Sequence, residues 1–144
     1  MSAVIVDTGA ILALLDEAYG EHLRLAEIVN ESADPLVVSP LVAAEADYLL
    51  LRRLGADAAR QFVGDIAAGA YELAEWTAAD HAAAISVMDR YGNSKGCTGV
   101  TDAANVVLAD TYRTTRVMTL DQRHFRVLRP LWGADYFTIL PYDG

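Results

Sequence analysis

Several features that would direct the interpretation elsewhere are scarce in this sequence. Cys97 is the only cysteine among 144 residues, so an internal disulfide is impossible, and no cysteine and histidine cluster has the spacing of a zinc site. No window of about 18 residues lacks a charged side chain, which argues against a transmembrane span. The start of the chain has no basic segment before its first apolar run, and Asp7 follows that run at once. We therefore expect a cytoplasmic protein without a membrane partner.

Positive charge is also scarce, because 11 basic side chains face 20 acidic ones and give a net charge of −9. This balance argues against a broad basic surface for nucleic acid. The charges are nevertheless uneven: Arg24 is the only basic residue of segment 1–50, whereas segment 113–129 contains five arginines opposed only by Asp121. An acidic protein can still bind RNA if metal ions neutralise a carboxylate pocket and a local basic rim meets the phosphates. Net charge alone leaves the partner open.

The chain alternates between two kinds of apolar pattern. Its 53% hydrophobic content suits a sizeable core, and neither a repeat nor a long linker divides it, so we expect one domain over residues 1–144. Short apolar runs predict strands near 3–6, 36–38 and 116–120, and 136–140 is the last candidate. The alternating segment 71–76 predicts an edge or half-buried strand. Patterns rich in Ala and Leu predict helices near 8–17, 20–32, 40–54, 56–69, 78–91, 101–113 and 122–128. This alternation predicts a three-layer α/β/α fold around a mostly parallel sheet of about five strands.

Two aspartates stand where predicted strands end. Asp7 follows Val4-Ile5-Val6, and Asp121 follows Val117-Met118-Thr119-Leu120. Each could simply cap the helix that comes next. In a parallel sheet, however, ligands bind beyond the carboxyl ends of the strands. Two carboxylates at the same rim are more than two helix caps require.

Two further carboxylates interrupt apolar helical stretches. Asp102 and Asn105 lie three residues apart on one face of a helix that is otherwise apolar there. Glu45 has only apolar or aromatic helical neighbours at three and four residues, so it must be partnered or neutralised. Asp47 lies on nearly the opposite side of the same helix, and periodicity leaves open which of the two faces the core.

Together Asp7, Glu45, Asp102 and Asp121 could converge on one cleft. Carboxylates that lie close together repel each other unless a divalent cation lies among them. Hard cations such as Mg²⁺ or Mn²⁺ prefer such oxygen ligands. A site of this kind can activate a bound water and stabilise charge on a phosphoryl oxygen. The set therefore predicts a Mg²⁺ or Mn²⁺ site that serves phosphoryl chemistry.

The same residues carry a resemblance to a known family. The sequence resembles the PIN-domain ribonucleases, and most closely the VapC-type toxins of bacterial toxin–antitoxin modules, through four segments: Ile5-Val6-Asp7-Thr8, Val42-Ala43-Ala44-Glu45, Thr101-Asp102-Ala103-Ala104-Asn105 and Thr119-Leu120-Asp121 with Arg123-His124-Phe125. The family's acidic quartet maps onto Asp7, Glu45, Asp102 and Asp121. Its frequent Asp-Thr-Ser start is Asp7-Thr8-Gly9 here, so one hydroxyl is absent.

The resemblance implies a metal-dependent endoribonuclease toxin that hydrolyses phosphodiester bonds in cellular RNA. It also implies a cognate antitoxin as inhibitor and a homodimer, which the apolar character of residues 41–51 on nearly every side favours independently. We expect three polar residues, Thr8, Asn105 and Thr119, to support the carboxylates. Four arginines are candidate RNA contacts: Arg113, Arg116, Arg123 and Arg126. His124 is interpreted as a residue of the site's rim or as a structural residue.

Other functions fit the pattern less well. A receiver-like Mg²⁺-binding regulatory module needs an acidic pair after the first strand and a lysine at the end of a late strand, whereas Lys95 is predicted in a loop. A haloacid-dehalogenase-type phosphatase needs Asp-x-Asp after the first strand, where Gly9 occupies the second position. A DNA-directed PIN-like nuclease would share the metal site, and only a substrate assay separates it from a ribonuclease.

Overall fold

A computed structural model describes residues 3–92 and 98–144, so the interpretations of Lys95 and Cys97 lie outside the described residues. The strands are β1 (Val4–Val6), β2 (Leu36–Val38), β3 (Glu72–Leu73), β4 (Arg116–Met118) and β5 (Thr138–Leu140). The helices are α1 (Thr8–Leu15), α2 (His22–Glu31), α3 (Pro40–Arg53), α4 (Ala56–Ala67), α5 (Ala78–Tyr91), α6 (Val100–Thr111) and α7 (Gln122–Phe125). The predicted order of strands and helices is confirmed.

All five strands pair in parallel, in the order β3-β2-β1-β4-β5. The central strand β1 pairs with β2 through Val4 opposite Leu36, and with β4 through Ile5 opposite Val117. The predicted α/β fold with a parallel sheet of five strands is therefore confirmed. Because β1 and β4 are neighbours, the residues that follow their carboxyl ends lie side by side.

The sheet is covered on both faces. Successive side chains of β1 point to opposite faces, so Val4 and Val6 join a core with residues of α1 to α4, whereas Ile5 joins a second core with residues of α5 and α6. The strands β1 and β2 are buried on both faces, which explains why their sequences are continuous apolar runs, whereas the edge strand β3 is exposed. Within the described residues, no helix is long and apolar enough to cross a membrane.

Two helix starts place site residues. Ser39 caps α3, because its hydroxyl accepts a hydrogen bond from the Val42 amide at 3.0 Å, and Pro40 occupies the first turn. Asp121 caps the short helix α7 and accepts from the His124 amide at 3.1 Å. The apolar run at 116–120 is longer than β4, which ends at Met118. The Thr119 hydroxyl then accepts from the Asp121 amide at 3.0 Å, a side-chain contact that replaces strand pairing.

Candidate active site

A cavity of about 620 Å³ opens at the carboxyl edge of the sheet. All four carboxylates identified in the sequence line it: Asp7 after β1, Glu45 on α3, Asp102 on α6 and Asp121 after β4. Thr8, Gly9 and Thr119 contribute to the same lining. The parallel sheet thus brings together residues that are up to 114 positions apart in the sequence, between Asp7 and Asp121.

Asp7 is the most buried of the four carboxylates, with 7% of its surface exposed. It stands at the N-cap position of α1, yet its side chain makes no capping hydrogen bond. Instead, Asn105 Nδ2 donates to Asp7 Oδ1 at 3.2 Å and the Thr119 hydroxyl donates to Asp7 Oδ2 at 2.7 Å. The carboxylate is thereby fixed by α6 and by the end of β4. A simple capping role does not describe this arrangement.

Asp102 and Asp121 meet at the imidazole of His124. His124 Nδ1 lies 3.0 Å from Asp102 Oδ2 and 2.8 Å from Asp121 Oδ2. One potential ligand atom from each of these three residues falls within 4.8 Å of the others. The grouping combines two carboxylates and one imidazole, which is a donor set that divalent metal ions accept.

Glu45 reaches the cavity from α3. The buried residues of this helix are Val42, Ala46 and Leu50, which belong to the core formed by α1 to α4 and one face of the sheet, while Glu45 is exposed and lines the cavity. Asp47 is half-buried and does not belong to the lining. Neither side chain faces the core, so the expectation that Glu45 interrupts a buried apolar face is wrong; Glu45 instead meets solvent in the cavity.

The electrostatics of the site favour protonation or a cation. Burial raises the pKa of Asp7, and the charges of Glu45 and Asp121 raise it further, although the hydrogen bond from Thr119 opposes them. Burial, and next the charge of Asp7, raise the pKa of Asp102 to about 6, while His124 acts in the opposite direction. Both shifts report excess negative charge in a poorly solvated place.

The residues present fit a divalent cation. Two buried side-chain oxygens, Thr8 Oγ1 and Asn105 Oδ1, have no hydrogen-bond partner among the described residues. Buried polar atoms are nearly always satisfied, so such oxygens are expected where an ion or its water ligands bind. The surrounding carboxylates supply oxygen ligands and a charge that a cation would neutralise.

The candidate RNA contacts divide into two groups. Arg123 lines the cavity. Arg113 pairs with Asp110 at 2.8 Å, Arg116 pairs with Asp34 at 2.5 Å, and Arg126 pairs with Asp143 at 2.6 Å. These three arginines do not line the cavity, and Arg116 begins β4, at the opposite edge of the sheet.

Sequence reasoning missed two residues of this site. Arg53 lines the cavity from the end of α3, and His124 was given no role as a ligand. Helical spacing carried a signal for both. Arg53 follows Glu45 by eight residues, with Leu49 midway, and all three line the cavity from the same face of α3. His124 follows Asp121 by three residues at the start of a predicted helix.

The raised pKa of Asp102 predicts a gain in stability when its charge is removed. The pKa of Asp102 is about 6 in the folded protein, above the ordinary 3.8, so the folded state holds this proton more tightly than the unfolded state does. The resulting contribution to the free energy of unfolding is fully present below pH 3.8 and is lost as the pH rises through 6. At pH 7.5 without divalent metal, Asp102→Asn should therefore raise the free energy of unfolding by about 1–2 kcal/mol. Urea denaturation measures this change.

Asp110→Asn provides the matched control for this prediction. Asp110 lies on the same helix, where it is more exposed and pairs with Arg113. Its substitution should change stability by less than about 1 kcal/mol. At pH 4.5 the difference in the free energy of unfolding between Asp102→Asn and the wild type should shrink, because Asp102 is then protonated in the folded wild type. A difference that does not change with pH would contradict the view that ionised Asp102 destabilises the fold.

Comparison with known proteins places the chain in a family. Residues 4–129 match the PIN domain. The chain is 46% identical to Ribonuclease VapC26 of Mycobacterium tuberculosis over 138 residues, which cover 96% of this chain and 100% of that protein.

Solved structures agree in fold. The VapC20 toxin of Mycobacterium tuberculosis, described as cleaving the sarcin-ricin loop, gives a TM-score of 0.72 at 19% identity, covering 80% of this chain and 87% of that chain. VapBC2 from Rickettsia felis, bound to promoter DNA, gives a TM-score of 0.66 at 12% identity. This match covers 90% of this chain and 95% of that chain. The extensive match in sequence and the shared fold lead to one conclusion: the chain belongs to the PIN domain family.

Proposed function

We propose that this protein is an endoribonuclease toxin that depends on Mg²⁺ or Mn²⁺ and hydrolyses phosphodiester bonds in cellular RNA. The convergence of Asp7, Glu45, Asp102 and Asp121 on one cavity is the observation that carries the proposal. The 46% identity to a ribonuclease over almost the entire chain supports RNA as substrate. It favours RNA over the alternative of a DNA-directed nuclease that shares the same metal site.

The described side chains suggest a division of roles. Asp7, Asp102 and Asp121 would hold the cation, with Glu45 facing them from α3. A bound Mg²⁺ or Mn²⁺ supplies an activated water and stabilises charge on the phosphoryl group. Asn105 and Thr119 keep Asp7 in place through their hydrogen bonds. Glu45 is exposed enough to accept a proton from a water that enters the cavity.

A cognate antitoxin is the second part of the proposal. One of the structural matches is VapBC2 from Rickettsia felis, bound to promoter DNA. Another is FitAcB from Neisseria gonorrhoeae, which gives a TM-score of 0.54 at 18% identity and covers 81% of this chain and 86% of that chain. These matches support a protein partner that binds the toxin. Such a partner would keep the cavity inactive until it is removed.

The nuclease prediction concerns Asp7. Asp7→Asn keeps the size of the side chain but removes the charge that binds the cation, so RNA cleavage should fall by about a hundredfold or more. Cleavage by the wild type should require Mg²⁺ or Mn²⁺ and stop in EDTA. Sequencing of RNA 5′ ends after induction in cells would locate the cleaved bonds, and coexpression of the antitoxin should suppress them.

Asp110→Asn serves as the control for the loss of one carboxylate outside the cavity, and it should retain activity. An oligodeoxynucleotide of the same sequence should remain intact. Full RNA cleavage in EDTA would refute the metal mechanism, and preferential cleavage of the DNA strand would favour the DNA-directed alternative.

We also propose that residues 1–144 form a single domain, although the family match ends at residue 129. Beyond that residue, β5 pairs with β4, and Phe137 packs edge to face on Phe125 with ring centroids 5.8 Å apart. Phe137→Ala should therefore lower the stability of the entire chain by about 3–5 kcal/mol in one cooperative urea transition. The exposed neighbour Tyr136 is the control, because Tyr136→Ala should have little effect. Two separate transitions would contradict a single domain.

A homodimer completes the proposal. Three large apolar side chains on α3 and α4 are more than half exposed: Tyr48, Leu51 and Val63. Light scattering should therefore report a mass twice the 15.5 kDa of one chain at micromolar concentration. Leu51→Glu should shift the protein toward monomer, whereas Ile85→Glu, at an equally exposed position on α5, should not. A wild-type monomer at that concentration would contradict the dimer.

A further inference from the structure

Two arginines share the cavity with the four carboxylates. Arg53 lines it at the end of α3, and Arg123 lines it on α7. We propose that these two guanidinium groups bind the backbone phosphates that flank the scissile bond, and so define the path of the RNA strand across the cavity. This inference deepens the proposed ribonuclease function and rests on it.

The need for such groups follows from charge. The four carboxylates repel a polyanion, and one divalent cation neutralises only half of their combined charge. RNA carries one negative charge per phosphate, so neighbouring phosphates must meet positive groups if the strand is to lie across this cavity. The overall net charge of −9 makes local positive groups more necessary.

The other arginines are engaged elsewhere or lie away from the cavity. Four of them pair with carboxylates: Arg24, Arg113, Arg116 and Arg126. Arg129 donates to backbone carbonyls near the end of α7, and Arg52 lies over the ring of Tyr48. Across residues 3–92 and 98–144, Arg53 and Arg123 are the basic side chains in the cavity lining, and neither forms a salt bridge there.

Arg53 is held in position by a neutral partner. Its Nη1 donates to the Tyr19 hydroxyl at 3.3 Å, and Tyr19 also lines the cavity. A tyrosine hydroxyl orients the guanidinium without neutralising it, and other N–H donors of the group remain for a ligand. Arg53 follows Glu45 by eight residues on α3, which places it about 12 Å further along the helix axis.

Arg123 lines the cavity from α7. It follows Asp121 by two residues, is exposed, and makes no hydrogen bond or ion pair within the part of the chain that the structure describes. An exposed guanidinium beside a carboxylate cluster presents a fork that matches two phosphate oxygens. The two arginines therefore reach the cavity of the carboxylates from different structural elements, α3 and α7, and can contact different phosphates of one strand.

Binding of a short fluorescein-labelled single-stranded RNA tests the proposal by anisotropy, with Asp7→Asn in every protein so that the probe stays intact. Arg53→Gln and Arg123→Gln should each weaken binding about tenfold, because each removes a charged hydrogen bond to phosphate. Each should also reduce the slope of log K against log salt by about 0.7, the value for one lost phosphate contact on a single strand.

Arg60→Gln is the matched control, since Arg60 is exposed on α4 outside the cavity and its loss changes the net charge equally. It should leave both affinity and slope unchanged. Arg53→Lys should keep the slope but lose part of the affinity, because an ammonium cannot fork. Tyr19→Phe should behave in the same way, as a residue that only positions Arg53.

Steady-state cleavage with Asp7 intact adds a second measurement. Arg53→Gln and Arg123→Gln should raise KM with little change in kcat, since they bind substrate without touching the reacting atoms. If the wild type cleaves RNA but both variants keep the wild-type affinity and the wild-type slope of log K against log salt, the role of the two arginines is refuted while the ribonuclease function stands. A wild-type protein that neither binds nor cleaves RNA would instead overturn the proposed function.

Discussion

The burial of the Asp7 carboxylate is the constraint on which the rest of the site depends. A charged group with 7% exposure is costly unless other groups satisfy it. Asn105 and Thr119 meet part of that requirement from two different elements. The remaining cost is expressed in the raised pKa of Asp7 and Asp102, which a bound cation would relieve. The apolar strands and their parallel arrangement keep the Asp7 carboxylate buried at the carboxyl edge of the sheet.

The sequence could predict most of the architecture, because its local signals agree with the global fold. Continuous apolar runs occur where strands are buried on both faces, and Ala-rich patterns occur where helices cover them. The end of β4 was less predictable: Leu120 continues the apolar pattern, but pairing stops at Met118. Local composition does not reveal that the Thr119 hydroxyl satisfies the next amide.

Much of the site was also accessible from sequence, since each of the four carboxylates breaks an apolar pattern or ends a strand. The arginines were not. Arg116 and Arg123 both belong to the same basic segment, yet Arg116 lies at the opposite edge of the sheet and pairs with Asp34, 82 residues away. Only the tertiary structure shows which charges are paired across such distances. The same limit hid His124, whose two carboxylate neighbours include one from another helix.

The Thr119 hydroxyl has a consequence for how this fold can diverge. It donates to Asp7 beyond β1 and accepts from the amide of Asp121 beyond β4, so it fastens two strand ends to each other. The spacing of Asp7 and Asp121 is consequently set by neighbouring strands, by this hydroxyl and by the one buried amide, Asn105, that α6 contributes. Helical positions outside the site can then accumulate substitutions while the central geometry persists. This tolerance to substitution agrees with the solved structures, which share the fold at only 12–19% sequence identity.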